Sequence, residues 1–379
     1  KKSTAGTSLP RLAWSNLGRN KRRSTFIVLS LTLCVVLLNC VGIAADSVDI
    51  EKQVTYTIRT DYVVVNSAST NGMEGFTLRE QALPADVIDA INAQPGVTEA
   101  SAVYKNTLDD SNVTFDFPVE FVSTDEDAIT GIPFASTDMG LNFNLGDDVR
   151  PICNVYGMEE TALSRMDIQE GETDAHTLYE QMESGAGILL GVPADRSTMQ
   201  IAEDFDLLEI GDVVTVYKDK EAIMELPVLA KAAINGDDEE TGYTANGPYT
   251  VGGNGLYLYL PSNIYEEIYD EPSIYKYSFN VDENERANMT AFLENYIAQV
   301  DTSLNYLSAD SAREEAQATR IMLQFVGGLI GIIFGVAGVL NLTNTIITTI
   351  LARRHEFATM QSIGMTTKQL TRMMIWEGV

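Results

Sequence analysis

The sequence predicts an α+β domain held between two membrane-spanning helices, and three observations predict it. Ile321 to Ala352 contains no Asp, Glu, Lys, Arg or His, and Arg353, Arg354, His355 and Glu356 follow at once. Thr25 to Ala45 is likewise uncharged and follows Arg19, Lys21, Arg22 and Arg23. Both runs meet the length of roughly 20 apolar residues that crosses a bilayer core. Between them, segments with the period of strands alternate with segments with the period of helices.

The chain has 379 residues and a net charge of −29, unevenly spread. Residues 1–24 carry seven basic side chains and no acid, whereas residues 25–352 carry 14 basic and 52 acidic ones. Basic residues therefore lie outside the start of the first span and outside the end of the second, which puts both termini in the cytoplasm and the acidic middle outside the membrane. The expected plan is a cytoplasmic basic lead-in at 1–24, a first span at 25–46, an extracellular domain with stalk helices at 47–320, a second span at 321–352 and cytoplasmic helices at 353–379.

In the lead-in, Leu9, Leu12, Ala13, Trp14 and Leu17 recur at helical spacing among basic residues, as in a helix lying at the headgroups or one that extends the span inward. Trp14, Arg22, Arg23, Arg353 and Arg354 are the expected membrane-boundary residues. The first apolar run is too long for an ordinary signal-peptide core, although Ala44-Ala45-Asp46 has a cleavage-like form.

Asp46 to Thr60 and Ser308 to Arg320 are polar and helix-forming, and they would make a stalk. Asp61 to Val65 reads as a strand and Leu83 to Ala93 as an amphipathic helix with Pro84 in its first turn. Gln94 to Val97 turns into a strand near Ala100 to Tyr104, and Val113 to Val122 alternates as a half-buried strand should. Strands are expected at Gly187 to Leu190, Val213 to Tyr217, Leu226 to Ala232 and Leu256 to Leu260, and helices near Asn263 to Tyr269 and Asn284 to Gln299. Residues 61–130 with 250–305 would form one lobe and the intervening part a second. Cys34 and Cys40 fall in the first span and Cys153 is the only exterior cysteine, so no intrachain disulfide staples this domain.

After the second span, Phe357, Met360 and Ile363 repeat at helical spacing. Gly364 then stands where a helix end takes a left-handed residue, and Thr366 with Gln369 has the form of a capping box. Two short helices meeting at a turn beneath the membrane suit docking to a cytosolic partner, and equally an ordinary juxtamembrane helix.

The string NLTNTIITTILARRHEFATMQSIGMTTKQLTRMMIWEG, Asn341 to Gly378, resembles the FtsX-like permease domain of ATP-driven (ABC) transporters, the superfamily of MacB-type exporters and lipoprotein-releasing permeases. The carrying residues are Arg353, Arg354, Glu356, Phe357, Met360, Ile363-Gly364-Met365 and Gln369. Leu9 to Leu31 resembles the basic lead-in and first span of the same family. Pro95 to Val97, Gly187 to Leu190, Ile210 to Val214 and Pro227 to Leu229 are similar, more loosely, to a MacB-like periplasmic core domain.

The resemblance implies the second half of a duplicated Gram-positive permease, a multi-pass protein of the cell membrane. It implies a partner, a cytosolic ABC ATPase, and a role in transmitting ATPase motion to the extracellular domain for export, extrusion or antimicrobial peptide resistance. Glu356, Met360, Gly364, Met365 and Gln369 are the implied coupling surface, and replacing Gly364 by Val should uncouple hydrolysis from transport. The rest of the permease or a second copy is a further implied partner, since the family's last two spans and its ATPase are not in this sequence.

Enzyme chemistry finds no footing: no phosphate-binding Gly-x-x-x-x-Gly-Lys occurs, and topology separates the two histidines, His176 and His355. Asp125-Glu126-Asp127 and Gly236 to Glu240 lack the alternating spacing of a calcium loop and read as solvated loops. No cofactor, metal or nucleic acid is expected, and nothing names the extracellular substrate. The alternative is a bitopic membrane sensor with an extracellular ligand-binding domain, which shares this topology.

Overall fold

The structure, a computed structural model, describes residues 21–47, 49–70, 76–126, 133–139, 141–146, 149–195, 198–235 and 256–376. The lead-in with Trp14, the acidic run 236–240 and Asp127 lie outside the described residues, as do the side chains of Arg22 and Arg23. The chain divides into two compact units, Ile50–Glu314 and a second made of Lys1–Asp49 with Glu315–Val379.

In chain order, the elements begin with α1 (Lys21–Asp46), α2 (Ile50–Thr57), β1 (Tyr62–Asn66), α3 (Ala85–Asn92), β2 (Val97–Lys105), β3 (Val113–Asp116) and β4 (Phe121–Glu126). Next come β5 (Pro133–Thr137), β6 (Asn142–Leu145), β7 (Pro151–Ile152), β8 (Asn154–Met158), α4 (Glu160–Leu163), β9 (Asp167–Gly171), α5 (Ala175–Glu183) and β10 (Ile188–Pro193). Then follow β11 (Val213–Lys218), β12 (Glu221–Ile234), β13 (Tyr257–Pro261), α6 (Ser262–Ile268), β14 (Ile274–Val281), α7 (Arg286–Gln299) and β15 (Leu304–Ser308). The chain closes with α8 (Ala309–Ala352), α9 (Arg354–Ser362) and α10 (Thr367–Trp376).

Among the described residues, the unit Ile50–Glu314, called the exterior unit for its expected side of the membrane, holds an eleven-stranded sheet in the order β15-β1-β14-β2-β8-β13-β10-β12-β11-β3, with β9 also paired to β12, and a four-stranded sheet β4-β5-β6-β7. The β10/β12 and β8/β13 pairs are parallel and the others antiparallel. The α+β class is therefore as expected. The expected two-lobe division is not observed, because the large sheet runs through both segments and one unit contains them.

β14 lies between β1 and β2 and alternates Tyr275, Tyr277, Phe279 and Val281 with Lys276, Ser278 and Asn280, a period-2 signal that the expected strands above do not include, and both of its faces are buried. The expected strand at 113–122 is two strands, β3 and β4, with Pro118 between them, a residue that cannot donate to a ladder. Asp125 and Glu126 end β4 rather than sitting in a loop. Pro84 occupies the residue before α3 rather than its first turn, with extended φ −70° and ψ 147°.

Four apolar clusters build the core of this unit, one of them, Val54, Ile58, Val63, Val65 and Ala312, where the chain enters and leaves it. Of the others, one gathers Phe115, Phe143, Val155, Leu190, Val214, Val216 and Tyr265. A second joins Met158, Leu163, Leu178 and Met182 to the sheet, and a third packs α3 and α7 through Val87, Ile91, Met289 and Leu293 against Tyr62 and Phe279. Cys153 is buried without a disulfide, and burial pushes its thiol well above the usual range.

In the other unit, α8 is a single helix long and apolar enough to cross a membrane; among the described residues it is the one element that qualifies, and Val35–Ala44 is a shorter apolar stretch. The expected stalk segment and second span are thus parts of one continuous helix. Gly327 of α8 lies directly against Val41 of α1, too close for a side chain between them.

Candidate functional site

The candidate site is the helical knob formed by α9 and α10. α8 ends because Arg353 leaves helical geometry, at φ −104° and ψ 11°, while its carbonyl already accepts the Phe357 N–H at 3.0 Å and so starts α9. The Arg353 side chain stays within the knob. Its Nε donates to Glu356 Oε2 at 2.9 Å and its guanidinium lies 5.0 Å from the centre of the Phe357 ring.

α9 ends in a Schellman motif. Gly364 has φ +106°, the Gly364 N–H reaches the Gln361 carbonyl at 3.0 Å, and the Met365 N–H reaches back to the Met360 carbonyl at 3.0 Å. An L side chain at a left-handed position costs about 1–2 kcal/mol. α10 then opens with the expected capping box: the Thr366 backbone N–H donates to Gln369 Oε1 at 2.9 Å, and the Gln369 backbone N–H donates to Thr366 Oγ1 at 3.4 Å.

The two helices close over Phe357, Leu370 and Met373, with Met360, Met365 and Met374 packed against them. Of the five residues expected to form a coupling surface, Met360 and Met365 thus face the knob's own core. Gly364 makes its turn, Gln369 caps it and Glu356 holds Arg353. The structure brings all five into one small body in which they set shape. Arg354 is exposed.

Among the described side chains, the large apolar ones left outward on the knob are Ile363, 82% exposed, and Ile375, 67% exposed. Leu370 and Met373 escaped sequence reasoning, although their three-residue spacing on α10, the same face that Met374 and Leu370 share at four, was a visible signal. Nothing local announced the outward Ile375.

Elsewhere, His176 donates through Nδ1 to Glu160 Oε1 at 2.7 Å, and its Nε2 lies 3.5 Å from Glu180 Oε1. No group of three or more metal-ligating side chains is found among the described residues.

Residues 328–379 match the FtsX-like permease C-terminal family. Two solved structures are similar to parts of the chain. One is the periplasmic region of MacB from Actinobacillus actinomycetemcomitans, at 12% identity and TM-score 0.34, covering 68% of this chain and 92% of that one. The other is the extracellular domain of the noncanonic ABC-type transporter YknZ from Gram-positive bacteria, at 9% identity and TM-score 0.32, covering 65% of this chain and 98% of that one. At those scores neither likeness carries weight here. No curated protein matches the chain. Residues 328–379, which include the end of α8 and the two helices and glycine turn of the knob, are thus similar to the FtsX-like permease C-terminal family.

Proposed function

We propose that this permease chain transmits the motion of a cytosolic ABC ATPase through the membrane to an extracellular, MacB-like domain, and that the α9–α10 knob is where the ATPase docks. The observation that carries the reading is the knob itself: a glycine-turned, doubly capped helix pair with its own apolar core, one residue after the long apolar helix α8. A body so fixed keeps its shape under load. An unbroken helix of 44 residues is stiff enough to pass displacement along its axis.

On this reading α1 and α8 both span the bilayer, residues 47–320 are extracellular, and both termini are cytoplasmic. The basic flanks of the two apolar runs support that orientation. Trp14, Arg22, Arg23 and Arg354 sit at the boundaries, while Arg353 doubles as the knob's latch through Glu356. Hydrolysis belongs to the ATPase, and further permease helices or a second copy complete the path.

Replacing Gly364 by Val tests the reading. Insertion of the chain into the membrane should persist, while ATP-dependent changes in hydrogen exchange of the extracellular domain disappear. A variant that keeps those changes at the normal rate would show that the knob does not couple.

A further inference from the structure

The chain enters the exterior unit through α2 and leaves it through the first turn of α8, and the same few side chains hold both ends. Arg313, on that first part of α8, donates through Nε to Glu51 Oε1 at 2.8 Å and through Nη2 to Glu51 Oε2 at 3.1 Å, a bidentate pair onto α2. Its third nitrogen, Nη1, donates to Asp310 Oδ1 at 2.8 Å, which fixes the guanidinium in place. Arg313 bonded to Glu51 holds that carboxyl below the usual range.

Beneath the pair, Val54 and Ile58 pack with Ala312 on Val63 and Val65 of β1. The start of α8 is fixed in turn. Ser308 and Ser311 cap each other, backbone N–H to opposite Oγ at 3.0 Å in both directions. The Ala309 N–H donates to the Asp61 carbonyl at 2.9 Å.

Asp61 is itself a junction. Its N–H donates to Asn280 Oδ1 at 2.9 Å, its Oδ2 accepts the Val281 N–H at 2.9 Å, and its Oδ1 pairs with Arg286 at 2.7 Å. One residue therefore ties the head of α8 to the end of β14 and the first residue of α7.

We propose that Arg313 and Asp61 are positioning residues that clamp the two chain ends of the exterior unit into one body, so that movement along α8 enters the sheet through both ends together. This rests on the coupling role proposed above, and it names where the force is received. Two ends bound to each other and to β1, β14 and α7 translate or rotate as a pair; they do not separate. A buried cluster alone would hold them loosely, whereas a bidentate guanidinium fixes their relative angle as well as their distance.

The test uses the full chain in lipid nanodiscs with Cys34 and Cys40 replaced by Ser and spin labels at Gln53→Cys and Glu314→Cys, both exposed positions. The parent should give one narrow label-to-label distance distribution by pulsed electron resonance. Arg313→Gln should lose the narrow population, and the charge-swapped pair Glu51→Arg with Arg313→Glu should restore it. Arg313→Lys, which keeps charge without the two-pronged geometry, should stay broad. Hydrogen exchange of α7 and β14, read in the same samples, should be unchanged in Arg313→Gln, which separates a released clamp from an unfolded unit. A distribution that stays narrow in Arg313→Gln overturns the clamp, as does a swapped pair that stays broad. Neither readout needs an ATPase, so failure of the clamp and failure of docking are told apart.

Discussion

Replacing Lys105 by Met should stabilise the exterior unit near neutral pH, against the usual effect of a core substitution. Lys105 is fully buried. Its ammonium nitrogen faces the rings of Phe76, Tyr156 and Tyr275 at 5.8, 6.0 and 5.9 Å from their centres, and it donates at 3.4 Å to the Phe76 carbonyl. Three rings at the outer limit of cation–π range return little, and one long hydrogen bond returns about 1 kcal/mol at most. Desolvation wins: burial, with Lys276 nearby adding repulsion, brings the Lys105 amine down to about 7.

The sign follows from that depression. Below pH 7 the side chain is charged in both folded and unfolded states, and the full penalty of burying the charge is present. Between pH 7 and the unfolded value of 10.5 the folded state is neutral, so stability rises with pH by about 1.4 kcal/mol per unit, about 5 kcal/mol in all. Met fills the same volume without charge and leaves the Phe76 carbonyl without its donor, so roughly 3–4 kcal/mol should remain as a gain at pH 7. That corresponds to a rise of about 10 °C in the melting temperature. Calorimetry of the full chain in detergent from pH 6.5 to 9.5 should show the parent's melting temperature climbing with pH and that of Lys105→Met staying flat and higher. If the variant melts no higher than the parent at pH 7, or keeps the parent's slope, the buried charge is compensated and the reasoning fails.

Two further predictions concern the exterior unit. In Gly157→Ala the new methyl would meet the ring and Cβ of Tyr265 at 2.6–2.9 Å, so Tyr265 must shift from its stack with Tyr104, at a cost of about 1–3 kcal/mol measurable by chemical denaturation. His176 is raised above its ordinary value, first by the hydrogen bond to Glu160 and then by the charges of Glu160, Glu180 and Asp174. Its hold on α4 and α5 is therefore fully present below about pH 6.5 and lost as pH rises through the raised value. Hydrogen exchange of 160–183 should accelerate beyond the intrinsic rate as pH rises above about 6.5 in the parent, and His176→Gln should remove that excess.

The knob was legible in the sequence because its signals are local. A glycine at the helix end, a Thr and a Gln three apart and apolar residues at helical spacing each act within one turn, and the structure forms each as expected. The long apolar helix was legible for the same reason, since composition alone defines it. What escaped was made by distance. β14 is not an example, since Tyr275 to Val281 alternates apolar and polar residues and was readable, but the expected two lobes dissolve because β2, at 97–105, pairs with β8 while β3 pairs with β11. Arg313 and Glu51 are 262 residues apart, and nothing near either one points to the other. Met360 and Met365 pack against the knob's core while Ile363 is left outward, an arrangement set by how the two helices meet at the turn.

A photo-crosslinking side chain at Ile363 reports whether the knob docks an ATPase, because that position is apolar, exposed and outside the knob's core. In intact cells the crosslink should capture, with a yield that changes on ATP depletion, a single protein carrying a Gly-x-x-x-x-Gly-Lys phosphate loop. The same group at Ile223 of the exterior unit should capture no such protein, and Gly364→Val should abolish the product from position 363. A position 363 that crosslinks only to lipid, or whose ATPase product survives unchanged in Gly364→Val, would show that the knob is not the docking surface.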